Sequence, residues 1–140
     1  MMDQDAGGPL SERLRNLGYS DQIKLAREGD LAERTVLERL YGHTVWEPLL
    51  ANARITVAEI GRIACKGALP LPLIETIVGN GGWLASQSVR RGLLTNPRLT
   101  REQVTRVLRF MPAAELKLVP KQSIYSGTVR EIARKIIGAP

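Results

Sequence analysis

The chain has 140 residues and a net charge of +6, with 44% hydrophobic and 4% aromatic residues. This length can bury a substantial core, and no stretch of the sequence reaches the roughly 18 apolar residues of a membrane span. One cysteine, Cys65, excludes an internal disulfide and a multi-cysteine metal site, and the N-terminal residues lack a signal-peptide pattern, so we expect a cytoplasmic protein.

The first third of the sequence predicts a flexible tail over residues 1–8 and then closely spaced helices. Ser20 is placed to cap one of these helices. Asp30 and Glu33 have the spacing of a capping box, in which each side chain accepts a hydrogen bond from the backbone N–H of the other residue. Thr44 and the glutamate three residues later have the same spacing.

One phrase occurs twice in the middle of the chain, as "LLANARITVAEI" at 49–60 and "LLTNPRLTREQV" at 93–104. At an offset of 44 residues, seven of the twenty positions in 45–64 are identical. Asn52 and Asn96 follow the leucine pairs, and asparagine tolerates the left-handed backbone that often ends a helix. The phrase therefore predicts the end of a helix and a tight turn.

Each copy of the phrase also predicts the start of the next helix. Thr56 with Glu59, and Thr100 with Gln103, have the spacing of a capping box. Farther along the chain, the sequence predicts one continuous helix from Trp83 to Thr95. The predicted helices begin near residues 10, 20, 30, 44, 56, 70, 84, 100, 112 and 127.

The order of these elements predicts an all-α protein with three short helices in each period of about 44 residues. A period of this size is typical of a stacked solenoid. We therefore expect a single helical-repeat domain over residues 9–140, built as a short α-solenoid of about ten helices.

The segment "LLTNPRLTREQVTRVL" resembles helical-repeat proteins of the HEAT, armadillo and leucine-rich-repeat-variant type, especially bacterial ones in which "NP.LT..E/Q" recurs between short helices. "IYSGTVREIARKII" resembles the closing segment of such chains. The resemblance covers roughly residues 20–138. It implies a curved, right-handed all-α solenoid that binds other macromolecules, and it supplies no catalytic residue. Some leucine-rich-repeat-variant proteins carry a cysteine-ligated cluster, for which this chain has no matching cysteines.

The residues that could carry chemistry favour structural interpretations. The loop "GNGGW" at 79–83 could cradle a phosphate, but it lacks the Lys-Ser/Thr of a nucleotide loop, so a helix-breaking turn is favoured. His43 is the only histidine, and Cys65 is expected to be a small buried apolar residue. No pair of carboxylates has the environment of a general acid and base. We therefore expect no enzymatic activity, no cofactor and no metal site.

Positive charge is concentrated in the second half of the chain. Residues 1–70 carry nine Lys/Arg and ten Asp/Glu, a balance of −1, whereas residues 71–140 carry eleven and four, a balance of +7. A basic surface attracts nucleic acid, anionic lipid or an acidic protein face. The few aromatic residues are spread over different helices, which is not typical of an RNA-binding surface.

Arginines also recur at equivalent positions of the repeat, where Arg54 and Arg62 correspond to Arg98 and Arg106. Equivalent positions of a solenoid project from the same side. These arginines are therefore expected to form a ridge, and a guanidinium pairs equally well with carboxylate and with phosphate. The alternative interpretation is an ordinary solvated face.

From these features we predict a non-catalytic protein-interaction module that binds an acidic protein surface through a basic face. The predicted contact residues are Arg98, Arg101, Arg106, Arg109, Arg130 and Arg134. Two alternatives stay open at this point. One is a nucleic-acid-binding helical-repeat protein, and the other is a structural subunit that self-associates through the open ends of a solenoid.

Overall fold

The computed structural model describes residues 8–138, and every regular element in that part of the chain is a helix. The all-α prediction is therefore confirmed. The chain splits into two compact units, Met1–Ile55 and Thr56–Pro140. Apart from Gly8, the predicted N-terminal tail lies outside the described residues, and one repeat domain over 9–140 stays a prediction.

The first unit is built from short helices around a small apolar core. Its described elements are α1 (Pro9–Leu14), α2 (Tyr19–Glu28), α3 (Leu31–Tyr41), a 3-10 helix (Gly42–Val45) and α4 (Trp46–Leu50). Leu37 and Val45 are fully buried. The Tyr41 hydroxyl donates to the Leu14 carbonyl and accepts from the Leu17 N–H at 3.0 Å. The end of α3 is therefore fixed to the end of α1.

One of the three caps predicted in this unit is formed. Asp30 Oδ1 accepts from the Glu33 N–H at 2.9 Å, and Glu33 Oε1 accepts from the Asp30 N–H at 2.8 Å. The Ser20 cap was wrong, because α2 begins at Tyr19 and its N-cap is Gly18, two residues before Ser20. The Thr44 box was also wrong. The chain leaves α3 at Gly42, whose φ is 53°, and Thr44 then lies inside the 3-10 helix, so the N-cap of α4 is Val45, whose side chain makes no cap hydrogen bond.

The second unit contains the remaining helices. They are α5 (Val57–Ala64), α6 (Leu71–Val78), α7 (Gly81–Leu84), α8 (Gln87–Leu94), α9 (Arg101–Arg109), α10 (Ala113–Leu116), a 3-10 helix (Val119–Lys121) and α11 (Gly127–Ile137). Its core contains the fully buried side chains Ile60, Ile74, Leu93 and Leu108, from four of these helices. The alternation of apolar and polar positions every three to four residues places these side chains on the inner face of each helix.

Both capping boxes of the repeated phrase are confirmed. Thr56 Oγ1 accepts from the Glu59 N–H at 3.3 Å, and Thr100 Oγ1 accepts from the Gln103 N–H at 3.1 Å. In return, Glu59 Oε2 accepts from the Thr56 N–H and Gln103 Oε1 accepts from the Thr100 N–H, each at 2.9 Å. The prediction of one continuous helix from Trp83 to Thr95 was wrong, because the helix is interrupted between the end of α7 and the start of α8.

The repeated asparagines act through their side chains. Neither has a left-handed backbone, since only Gly42 and Gly138 have positive φ among residues 8–138, so that expectation was wrong. Asn52 Nδ2 donates to two carbonyls at the end of α2, those of Ala26 at 3.0 Å and Gly29 at 3.1 Å. Helix-end carbonyls have no partner within their own helix. The side chain therefore satisfies groups that the helix leaves open.

Asn96 makes the same contacts in the second unit. Its Nδ2 donates to the carbonyls of Ala64 at 2.8 Å and Lys66 at 2.9 Å, at the end of α5. Its Oδ1 accepts from the Arg98 N–H at 2.9 Å, as Asn52 Oδ1 accepts from the N–H two residues later at 2.8 Å. Both asparagines are 3% exposed, so their side chains are shielded from water.

Replacing Asn96 with Ala should lower the free energy of unfolding of the second unit by about 1–3 kcal/mol, because three backbone groups lose a partner, in one buried and two part-buried hydrogen bonds. The Thr100→Ala variant of the neighbouring exposed cap should cost about 1 kcal/mol. Urea unfolding followed by circular dichroism measures both. An Asn96→Ala variant as stable as the wild type would show that these bonds do not stabilise the turn.

Candidate functional site

Two of the predicted contact residues, Arg98 and Arg106, hold backbone carbonyls within the second unit. Arg98 Nη1 donates to the Leu69 carbonyl at 3.0 Å, and Arg106 Nε donates to the Val78 carbonyl at 2.7 Å. The Arg106 guanidinium also lies over the Phe110 ring, 5.2 Å from its centroid, which is a favourable cation–π geometry. Part of the hydrogen-bonding capacity of both side chains therefore stabilises the fold.

Arg54 makes a similar contact in the first unit. Its Nη2 donates to the Glu28 carbonyl at 3.0 Å, and Arg54 and Arg98 are equivalent positions of the repeat. Recurrence of arginine at this position thus has a structural explanation, since both side chains satisfy a carbonyl of an earlier segment. The ridge of repeated arginines stays a prediction.

Two further predicted residues, Arg130 and Arg134, are on α11. Arg130 Nε donates to the Tyr125 carbonyl at 3.1 Å, and Arg134 is exposed. With about 100° between successive residues of an α-helix, both positions lie roughly opposite Ile132. These two arginines therefore lie on the outer side of α11.

The last two predicted residues, Arg101 and Arg109, meet α11 in a groove. This groove has a volume of about 240 Å³ and is lined by Arg101, Thr105, Arg109, Ile132, Lys135 and Ile136. We call it the basic groove. Residues 101, 105 and 109 are four apart and therefore share one face of α9. Because α9 and α11 pack against each other, cations of both helices come together.

The basic groove has an apolar floor and a charged rim. Ile132 is 5% exposed and Ile136 is half-buried. By contrast, the side chains of Arg101 and Lys135 are 57% and 67% exposed. The rim cations are therefore accessible to a ligand, and the floor offers apolar surface beside them.

Glu131 contacts two of the rim cations. Its carboxylate lies 3.5 Å from Arg101 Nη1 and 3.4 Å from Lys135 Nζ. The hydrogen bond and the positive charge of Lys135, and then the charge of Arg101, lower the pKa of Glu131 below its usual value. Three lining cations and this one carboxylate leave a local balance of +2, so the groove attracts anions.

Sequence reasoning identified only part of this site. The spacing of four residues between Glu131 and Lys135 on one helix predicts an ion pair, and the structure forms it. The place of Lys135 beside Arg101 and Arg109 was missed, because spacing along α11 says nothing about which helix lies next to it. That any of the six predicted arginines contacts a partner stays a prediction.

A second groove of the same unit carries no charge. It has a volume of about 450 Å³ and lies between the Asn96 turn and the start of α11. Its lining residues are Leu94, Thr95, Asn96, Pro97, Leu99, Val104, Ser123, Ile124, Tyr125, Ser126, Thr128 and Val129. Its lining combines hydroxyl and apolar groups, and Ile124 is 55% exposed. Nothing in this lining selects a charged ligand.

The single cysteine does not belong to the core. Cys65 is exposed, so the expectation of a buried residue was wrong. It follows the last residue of α5 as the C-cap, and its Sγ donates to the Arg62 carbonyl at 3.2 Å. Within residues 8–138, no group of three or more His, Cys, Asp or Glu side chains is arranged to hold a metal ion.

None of the described helices has both the length and the apolar character needed to span a bilayer. Comparison with protein-family models, with curated proteins and with solved structures found no match to this chain. The resemblance to HEAT, armadillo and leucine-rich-repeat-variant proteins therefore stays a prediction.

Proposed function

We propose that this chain is a non-catalytic helical-repeat module that binds an acidic segment of another protein through the basic groove. The observation that carries the proposal is the convergence of Arg101, Arg109 and Lys135 around Ile132 and Ile136. Cations beside an apolar floor complement a segment in which carboxylates flank apolar side chains. The proposed site thus keeps two of the six arginines predicted from the sequence and adds a lysine.

The repeated turn supports the helical-repeat part of the proposal. The Ile55 N–H donates to the Asn52 carbonyl at 3.1 Å, and the Leu99 N–H donates to the Asn96 carbonyl at 3.3 Å. The same bond, at 3.2 Å, closes the turn before α11. Recurrence of one turn between short helices is typical of repeat proteins. A solenoid with a repeat of about 44 residues is therefore part of what we propose.

The chemistry of the groove favours protein over nucleic acid. Sites for single-stranded nucleic acid stack bases on aromatic side chains, and the lining of the basic groove contains none. Duplex binding uses a row of phosphate contacts, whereas this groove offers three cations and an apolar floor. The +7 balance of residues 71–140 makes nucleic acid the alternative that an experiment has to separate.

The test is capture of partners from nuclease-treated lysate of the native host by three forms of the protein. The forms are the wild type, Arg109→Glu/Lys135→Glu, and the control Arg134→Glu. Reversal of two groove charges should reduce capture of a wild-type-specific protein by roughly tenfold or more, because each reversal turns an attraction into a repulsion. The control reverses one charge on the outer side of α11 and should retain capture.

Two results would contradict this proposal. Capture that survives Arg109→Glu/Lys135→Glu and is lost in Arg134→Glu would place the surface on the outer side of α11. Micromolar binding to a random DNA duplex at near-physiological salt, with log affinity falling steeply against log salt, would favour the nucleic-acid alternative. Circular dichroism of each variant establishes that the fold is retained.

A further inference from the structure

We infer that the occupant of the basic groove is an acidic amphipathic helix, and that Glu131 is the internal carboxylate which this helix displaces from Arg101 and Lys135. The inference rests on the proposed function, and it adds the conformation of the bound segment and a residue that sets its affinity. Three features of the groove support it.

The first feature is the shape of the groove. Its walls are two helices, and the α9 residues on its rim run from Arg101 to Arg109, which is about 12 Å at 1.5 Å per residue. That length corresponds to about two turns of a third helix. Side-chain rows of one helix pack into the grooves of its neighbours, and partner helices dock in this way through apolar residues spaced three and four apart.

The second feature is the size and polarity of the groove. A volume of about 240 Å³ is below the range of about 300–1,000 Å³ for small-molecule pockets. This volume can hold a few apolar side chains packed over Ile132 and Ile136. The cations of the rim then face the flanks of the docked helix, so its carboxylates belong beside the apolar stripe.

The third feature is the position of Glu131. Its carboxylate joins a cation of α9 to a cation of α11, at 3.5 Å from Arg101 and 3.4 Å from Lys135. Both ion pairs are exposed, and exposed ion pairs contribute little to stability. A carboxylate of the partner can therefore replace Glu131 at small cost, while the charge of Glu131 continues to repel that partner.

The experiment uses fluorescently labelled synthetic helical peptides as probes for the full chain. The acidic amphipathic peptide carries leucines at i, i+3, i+4 and i+7 and glutamates at the flanking positions. A second peptide has the same composition in an order that breaks the leucine stripe, and a third has lysine in place of glutamate. Fluorescence anisotropy should show that the first peptide binds at least tenfold more tightly than either of the others.

Glu131→Gln should increase the affinity for the acidic amphipathic peptide by about three- to tenfold, because a repelling and competing charge is removed. Glu102→Gln is the matched control, since this exposed carboxylate is on α9 and, unlike Glu131, is not ion-paired with Arg101 or Lys135. It should change the affinity by less than about twofold. A purely structural role of Glu131 would predict weaker or unchanged binding, so either of those results would overturn the inference.

Failure of the inference is distinguishable from failure of the proposed function. Equal binding of the acidic amphipathic peptide and its reordered version would overturn the inference that the occupant is an amphipathic helix. It would leave the proposal of an acidic partner standing. If neither acidic peptide binds the wild type more tightly than it binds the Arg109→Glu/Lys135→Glu variant, the proposed function fails as well.

Discussion

Replacing Glu115 with Leu should destabilise the second unit by about 3–5 kcal/mol, the typical cost of breaking a buried ion pair. Arg90 Nη2 donates to Glu115 Oε1 at 2.6 Å, and Arg90 Nε donates to Oε2 at 3.4 Å. The side chain of Arg90 is 4% exposed and that of Glu115 is 23% exposed. Loss of the carboxylate leaves the more deeply buried charge with the Leu84 carbonyl, at 2.9 Å, as its remaining partner.

Removal of both charges should restore most of the lost stability. In Arg90→Met/Glu115→Leu no buried charge is left uncompensated, and apolar replacements of a buried pair are often neutral. The double variant should therefore be more stable than Glu115→Leu, with a coupling free energy of about 2 kcal/mol or more. Urea unfolding of the two single variants and the double variant measures this coupling.

The control for this pair is an exposed ion pair of the same unit. Lys135→Met removes a contact of 3.4 Å between side chains that are 67% and 47% exposed. It should change the free energy of unfolding by less than about 0.5 kcal/mol. If Glu115→Leu costs no more than Lys135→Met, the ion pair between Arg90 and Glu115 does not stabilise the second unit.

The Arg90–Glu115 contact also shows why α10 is ordered. This helix has four residues, Ala113–Leu116, and isolated helices of that length are unstable in water. Glu115 attaches it to α8, 25 residues earlier in the chain. In Glu115→Leu, hydrogen exchange of the α10 amides should therefore accelerate more than that of the α9 amides.

The parts of the fold that the sequence predicted correctly depend on short separations. The capping boxes at Asp30, Thr56 and Thr100 each join residues three apart, so the spacing of two side chains is enough to recognise them. The pair of Glu131 and Lys135 is four apart on one helix. Recognising these contacts in a sequence requires no knowledge of how the helices pack.

The parts that were missed depend on partners far along the chain. Asn96 was expected to end a helix through its own backbone, but its side chain instead reaches carbonyls 30 and 32 residues earlier. The basic groove likewise combines α9 with α11. Periodicity shows which face of a helix is apolar, yet it does not show which charged residues of another helix lie beside that face.

A helix crossing in the second unit was also missed, although the sequence carried a signal for it. Gly61 lies inside α5 and Gly92 inside α8. Glycine inside a helix costs about 1 kcal/mol relative to alanine, so an isolated helical glycine usually has a packing reason. Here the reason is close contact between the two helix backbones.

Replacing Gly92 with Ala should destabilise the second unit by about 2–3 kcal/mol, near the upper end of the cost of overpacking. A Cβ on Gly92 would lie 2.4 Å from the Gly61 carbonyl oxygen and 3.2 Å from Ala64 Cβ. The closest obstruction is backbone, so no change of rotamer can relieve it, and the two helices have to separate. The buried residues Ile63 and Leu93 of the same helices would then lose packing contacts.

Gly61→Ala should cost less than Gly92→Ala, because its closest obstruction is a side-chain atom. A Cβ on Gly61 would lie 2.4 Å from Ser88 Oγ and 2.9 Å from the Ser88 carbonyl oxygen. Adding Ser88→Ala removes the hydroxyl and should restore part of the stability of Gly61→Ala, whereas the same addition should not rescue Gly92→Ala. This difference tests whether the contact between the helices has the geometry described.

Gly127→Ala is the matched control for the crossing, since it makes the same substitution in a helix of the same unit. A Cβ on Gly127 would meet nothing within 4 Å, and its φ is not positive. Alanine should therefore stabilise the protein by about 0.4–1 kcal/mol, because the unfolded chain loses conformational freedom. Thermal unfolding followed by circular dichroism should thus show opposite shifts for Gly127→Ala and Gly92→Ala. Equal shifts would mean that α5 and α8 can separate without cost, and that close packing of these helices does not stabilise the second unit.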